Sequence, residues 1–374
     1  MNGIKNHPPL NEEIELTLLG PGFGESIVVH IGDNKWIIID SCVNNDNTSC
    51  APLDYLTQIG VNFSNVVLII ASHWHDDHVK KMSNVVEACT NAKFCCSSAL
   101  QKDEFMAYVT RQNEITDIKW TSGVYELNSI FDILSKRKHS PAIHAVSNRK
   151  ILYDNSLGHS NTCEVHTLSP SDKDIESFIK DIKNLIPTEN DQQKTAANPK
   201  RNKSSVVVHI KIGSEISLLG SDLEETKNDS TGWGVIVGSK EKPEGKAKIF
   251  KVPHHGSITG HSDQVWKHVI DDQNPYAVLT PYNRGHKLPS PDDAERICTY
   301  TNNAYSTIAL NSKKGVKRPS SVEKKIAQTV VSIRSITSKV GMLRLRKNMT
   351  LPLADWDLKT FDGGCHLSQV CKST

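Results

Sequence analysis

Apolar positions along this chain fall into short runs with abrupt polar ends. Ile14-Glu15-Leu16-Thr17-Leu18-Leu19, Ser26 to Ile31 and Trp36 to Asp40 are β-rich and are separated by Gly, Pro and Asp, beginning with Gly20-Pro21-Gly22-Phe23-Gly24. That punctuation predicts strands joined as hairpins. Pro52 to Ile59 places Leu53, Leu56 and Ile59 on one face at helical spacing. Asn65-Val66-Val67-Leu68-Ile69-Ile70-Ala71 is continuously apolar, too short for a helix, and predicts a buried strand that delivers Ser72-His73-Trp74-His75-Asp76-Asp77-His78 at its end. Val79 to Cys89 follows as a helix, and Cys96 to Arg111 as a lid or helical insertion.

Lys150 to Leu152 and Glu164 to Leu168 are further strands, and the polar stretch between Ile186 and Lys203 is a surface loop on composition. Ser205 to Ile212 and Glu215 to Leu219, joined by Gly213-Ser214, form a strand pair running into Gly220-Ser221-Asp222. Ala247 to Val252 leads into Pro253-His254-His255-Gly256-Ser257, and Ala277 to Pro281 into Asn283-Arg284-Gly285-His286. A strand followed by a polar cluster thus recurs without an internal sequence repeat. The recurrence indicates an architecture that carries its chemistry at strand ends. Near the C-terminus, Lys339 to Arg346 alternates like an edge strand, and Pro352 to His366 is compact and turn-rich.

The length of 374 residues suits one large domain of ~250 residues with an appendage, or two domains. Apolar runs such as Val66 to Ala71 are far shorter than the ~20 residues that cross a bilayer, so no membrane span is expected. The first residues lack the basic and apolar pattern of a secretory leader, which makes the cytoplasm the expected location. Nine cysteines in irregular spacing, with Cys95-Cys96 adjacent, read as reduced side chains rather than a disulfide framework. The formal charge of +2 is a balance: only Glu323 interrupts the basic residues between Lys313 and Lys347. Lys136-Arg137-Lys138-His139 and Lys200-Arg201-Asn202-Lys203 are further basic clusters. Such runs are either solvated surface or phosphate-tracking patches. Aromatic residues are not interleaved with these lysines; Trp74 and Trp233 are platform candidates, or core.

His73-x-His75-x-Asp77-His78 carries the sharpest chemical signal. Three imidazoles and a carboxylate within six residues are a ligand set favoured by borderline metals such as zinc. Four ligands are too many for one tetrahedral ion that keeps an open position, so the spacing indicates two ions, His73 and His75 on one, Asp77 and His78 on the other. Asp222 is placed to bridge both, and His255 to complete the second. On its own, Asp222 also reads as a helix N-cap.

Gly22-x-Gly24-Glu25-Ser26, Ile39-Asp40, His73-x-His75-x-Asp77-His78, Leu219-Gly220-Ser221-Asp222-Leu223-Glu224 and Val252-Pro253-His254-His255-Gly256-Ser257 occur in the order of the metallo-β-lactamase-fold hydrolases. The chain resembles, more closely, the branch containing the metallohydrolase domain of the competence DNA-uptake channel protein; Asn202, Ser205, Asn283 and His286 stand at that branch's further positions. The resemblance implies an α/β (α+β) fold, an αββα sandwich over residues 12–310 with a basic C-terminal extension over 311–374 that packs on the sheet or recruits a partner. Lys80-Lys81 replaces the usual Gly-Gly after the first motif, and Ser41-Cys42 follows Asp40 where glycine is usual. A third histidine for the first ion has one candidate, His159, or is absent, as in the competence-type branch.

The expected activity is that of a binuclear hydrolase with two divalent ions, zinc or alternatively manganese, whose bound hydroxide attacks the substrate. Asp77 and His254 are the expected catalytic residues, with His254 as proton donor to the leaving oxygen. Lys80, Lys81, Asn283 and His286 are expected to contact substrate, and Asp40 to support the ligand loop by hydrogen bonding. The branch and the basic patches together point to a phosphodiesterase or nuclease with nucleic acid as partner and no membrane partner. The alternatives are a hydrolase of a small ester, lactone or thioester, and a non-catalytic binding protein with a decayed site.

Overall fold

The computed structural model describes residues 6–20, 23–44, 48–114, 122–137, 141–158, 161–185, 201–284, 287–309, 319–329, 340–351 and 354–371. The first strands are β1 (Glu13–Gly20), β2 (Ser26–Gly32), β3 (Lys35–Ile39), β4 (Val66–Ala71), β5 (Lys93–Ser97) and β6 (Ile143–Ala145). They continue as β7 (Arg149–Asp154), β8 (Cys163–Thr167), β9 (Val208–Ile212), β10 (Glu215–Leu219), β11 (Ile249–Lys251), β12 (Tyr276–Leu279) and β13 (Asn303–Ser306). Three more, β14 (Gly341–Asn348), β15 (Asp357–Phe361) and β16 (Cys365–His366), lie in the C-terminal part. One sheet has the order β15-β14-β1-β2-β3-β4-β5-β6 and the other β16-β13-β12-β11-β10-β9-β8-β7.

The two-residue period of the strands builds three apolar layers. Leu16, Leu18, Val29, Ile37, Ile39, Leu68 and Ile70 of the first sheet meet Val165, Val208, Ile210, Leu219 and Val278 of the second in a central core. The alternate positions Trp36, Ile38 and Ile69 face outward onto Leu56, Val85, Phe105, Leu127 and Phe178 of five helices. On the far side, Leu218, Phe250 and Ala277 pack against Trp233, Val265 and Ile297 from the helices Gly232–Gly238, Asp263–His268 and Pro291–Tyr300. The result is the αββα sandwich. No helix among the described residues is long and apolar enough to cross a membrane.

Several local expectations change. The stretch Val79 to Cys89 is not one helix: a turn at Asp76–Val79 and a helix at Met82–Ala88 are separated by Lys81, whose φ of 60° is left-handed. Glycine, usual in the resembling family near this position, adopts that conformation freely, whereas a lysine there carries a cost of about 1 kcal/mol. Cys96 still belongs to β5, and the helix Asp103–Glu114 buries Phe105, Tyr108 and Val109 against Trp74 and Phe178, so this segment is wall rather than lid. Trp74 and Trp233 are both fully buried and offer no surface platform.

The alternating segment ending at Arg346 is not an edge. All eight residues of β14 pair with β1, and β15 lies outside it. Strand β16 pairs with β13, so the C-terminal part contributes to both sheets. Glu215 joins them, accepting from Lys347 Nζ at 2.7 Å and from Trp356 Nε1 at 2.8 Å.

Candidate metal centre

The end of β4 opens into Ser72 and His73, and Asp40, next after β3, holds this loop. Its carboxylate accepts from Ser72 N at 2.7 Å and Ser72 Oγ at 2.6 Å, and pairs with His78 Nδ1 at 2.7 Å. Asp40 adopts a φ of 60°, which short polar side chains tolerate. Its position supports the loop as a hydrogen-bonding residue and keeps it off the inner ligand edge. Because Nδ1 of His78 is taken up by Asp40, Nε2 faces the interior of the site.

Asp222 follows β10, where Gly220 lets the chain pass close to the next strand: a Cβ there would lie 2.9 Å from Lys251 O. Its carboxylate reaches His78 Nε2 at 3.4 Å, His255 Nε2 at 3.7 Å and His73 Nε2 at 3.8 Å. His255 is oriented by Thr280 O on Nδ1 at 3.0 Å, and its Nε2 lies 3.1 Å from Asp77 Oδ2. His73 Nε2 and His75 Nδ1 are 2.9 Å apart. Three donor groups result: Asp77-His78-Asp222-His255 and His73-His75-Asp222 share Asp222, and Glu25-Asp40-His78 lies behind them, where Asp40 already pairs with His78 Nδ1 and Glu25 with Lys251. All six residues singled out in the sequence as ligands therefore converge. His159 lies outside the described residues.

The donor chemistry fits divalent cations. His78 Nε2 and Asp222 Oδ1 are buried without a hydrogen-bond partner among the described residues. Burying such atoms unsatisfied is costly, and a cation between them satisfies both. Burial, reinforced by His78 and His75, pushes His73 well below its ordinary pKa, which keeps it in the neutral, ligating form. Burial opposes ionisation of Asp77, yet His78 and His255 hold its carboxyl below the usual range. Asp222 behaves likewise. Burial also opposes charge on His78, but Asp222, Glu25, Asp40 and Asp77 outweigh it and raise the pKa.

Two residues of this centre carried no assigned role in the sequence. Lys251, at the end of β11, is fully buried; its Nζ lies 2.5 Å from Glu25 Oε1, 3.1 Å from Ser221 O and 4.0 Å from Asp222 Oδ1. Glu25 lies 3.6 Å from His78 Nδ1 and accepts from Thr280 Oγ1. Ala247 to Val252 holds two lysines, Lys248 and Lys251, and nothing in the sequence tells the buried Lys251 from the half-buried Lys248. Gly24, at φ +93°, admits this loop, since a Cβ there would meet Cys42 Cβ at 2.9 Å and Asp77 O at 3.2 Å.

The rim is cationic and aromatic. Lys80 is half-buried, and burial together with the charge of Arg284 lowers its pKa. Lys81 Nζ donates to Thr48 O at 2.7 Å and so serves the fold. Asn283 and Arg284 are exposed; His286 lies outside the described residues. His254 is half-buried beside the ligands, with Nδ1 2.8 Å from Thr259 Oγ1. Farther off, many basic side chains are engaged internally. Arg137 donates to Ala92 O, Lys203 pairs with Asp181, Arg346 with Glu15 and Lys347 with Glu215. Those four are committed to holding elements together.

A sandwich with this clustered His/Asp set is the framework of a metal-dependent hydrolase. Residues 19–103 match the family model of the metallo-beta-lactamase superfamily. No curated protein matches the chain. Solved structures with similar folds include a subclass B3 metallo-beta-lactamase from a soil metagenome library, at 13% identity and TM-score 0.33 over 68% of this chain and 83% of that one. Another is the metallo-beta-lactamase fold protein YhfI from Bacillus subtilis, at 11% identity and TM-score 0.31, covering 57% of this chain and 65% of that one. A third is a Cronobacter sakazakii metallo-beta-lactamase, at 11% identity and TM-score 0.30 over 55% and 61% respectively.

Proposed function

We propose that this chain is a two-metal phosphodiesterase acting on nucleic acid. The observation that carries the reading is the pairing of two donor groups sharing Asp222 with a cationic rim, where Arg284 lies over Phe23 and Phe23 packs on Tyr282 beside His255. A cation at that rim suits an anionic substrate better than a neutral lactone or thioester. The sequence resemblance to the competence-type branch supports the same class.

His73, His75 and Asp222 would hold one cation and Asp77, His78, Asp222 and His255 the other, zinc or manganese by donor type. Such ions supply Lewis acidity, acidifying water and neutralising charge at the phosphoryl oxygens. Asp77, kept ionised by its two histidines, accepts a hydrogen bond from the attacking water and fixes its approach. His254, steadied by Thr259, presents Nε2 to protonate the leaving oxygen. Asp40 and the Glu25–Lys251 pair fix the ligands from behind.

The test is incubation with single- and double-stranded DNA and RNA in added zinc or manganese, beside a His75→Ala, Asp77→Ala double variant and a lactone and thioester panel. Cleavage of nucleic acid by the parent and its loss by at least ~1000-fold in the double variant are expected. Turnover of the esters alone would overturn the reading.

A further inference from the structure

The loop after β1 and the loop after β12 meet at the mouth of the metal centre and bring three side chains together. Tyr282 lies with its ring 5.4 Å from that of His255, a member of the second donor group. Phe23 packs on Tyr282 at 5.6 Å with the rings tilted 57°. The guanidinium of Arg284 sits 3.4 Å from the centre of the Phe23 ring. Tyr282 and Phe23 are half-buried and Arg284 is exposed, so the stack runs from the ligands out to solvent. Neither aromatic is needed for the core, and neither belongs to the three apolar layers.

We infer that Phe23, Tyr282 and Arg284 form a nucleotide subsite beside the metal centre, taking the base and phosphate next to the scissile phosphodiester of a single strand. The inference deepens the phosphodiesterase reading and rests on it for the position of the scissile bond. A guanidinium stacked on an aromatic ring is fixed in direction, keeps its N–H donors free at the plane's edge for a phosphate, and offers its outer face to a base. A strand held there in extended, unstacked form is recognised by stacking and charge, without reading sequence. The subsite therefore predicts preference for a substrate with a neighbouring nucleotide over a simple aryl phosphodiester.

The experiment compares the parent with Arg284→Gln and Phe23→Leu, both exposed or rim changes, on bis(4-nitrophenyl) phosphate and on short single-stranded DNA and RNA. The expected result is a loss of kcat/KM on the oligonucleotides about ten-fold greater than on the aryl diester, seen mainly in KM. Equal losses on both substrates would overturn the subsite. Binding of a labelled, cleavage-resistant phosphorothioate oligonucleotide is measured in parallel, with an expected weakening of about ten-fold in each variant. If the parent hydrolyses neither phosphodiester, the phosphodiesterase reading falls; the binding arm still decides the subsite, since parent-like affinity in both variants overturns it. A parallel loss for DNA and RNA supports recognition by stacking and phosphate alone.

Discussion

Lys251 and Asp222 sit side by side with no access to water, and Glu25 completes a buried arrangement of one cation between two carboxylates. A buried pair contributes little net stability relative to apolar neighbours, but removing one member leaves the other charged and uncompensated. Lys251→Met should therefore destabilise the metal-free protein by about 3–5 kcal/mol in urea unfolding. The Glu25→Gln, Lys251→Met double variant, which removes the nearer carboxylate with the cation and leaves Asp222 facing His78 and His255, should recover more than half of that loss; equal loss in both would refute the account. The pair also shows where sequence legibility stops. His73, His75, Asp77 and His78 are readable because one turn gathers three imidazoles and a carboxylate. Glu25 and Lys251 acquire their role only when the loop after β1 and the end of β11 are brought together across the sandwich. Phe23 and Tyr282 look equally ordinary until Arg284 is seen over the ring.

Strands were legible where the apolar run was unbroken, as in β4, or alternated cleanly between Gly and Asp, as in β1 to β3. Helix and turn boundaries were less so, because Lys81 breaks the run after His78 by backbone conformation and not by composition. The placement of β14 was hidden for a different reason. Met342, Leu343, Arg344, Leu345 and Arg346 alternate as an edge would, but Arg344 is buried with its guanidinium 4.8 Å over Phe361, and Arg346 pairs with Glu15. Long cationic side chains with apolar stems thus line an interior strand. Burial of Met342, Leu343 and Leu345 is worth roughly 1.5–3 kcal/mol each. Their sum is comparable with the ~5–15 kcal/mol that holds a domain folded. A chain ending at residue 310 also bares the whole edge of β1. It should accordingly aggregate or lack a cooperative unfolding transition, whereas a monomeric, cooperatively unfolding truncation would make 311–374 dispensable to the fold.

Across the whole molecule, acid sensitivity is distributed beyond the metal centre. His30 lies under the first sheet's outer layer, with Nε2 accepting from Asn34 N and the ring 4.7 Å from Trp36; burial lowers its pKa to about 4. His209, on the second sheet, is also lowered to about 4 by burial, then by His166 and Lys211, and neither ring nitrogen has a partner among the described residues. Both are neutral in the folded protein at pH values where the unfolded chain, near 6.5, already takes up protons. The unfolded state then binds more protons, so stability falls as the pH drops from about 6.5 to about 4 and the penalty levels off below that. Each histidine accounts for about 3 kcal/mol of that loss. His209→Phe removes one proton site while retaining an aromatic of similar size and giving up no side-chain hydrogen bond among the described residues. Urea unfolding of the metal-free protein should show the variant within about 1 kcal/mol of the parent at neutral pH and losing about 3 kcal/mol less by pH ~4. Parallel stability curves for parent and variant would mean that His209 protonates in the fold without penalty and that acid sensitivity lies in the ligand cluster instead.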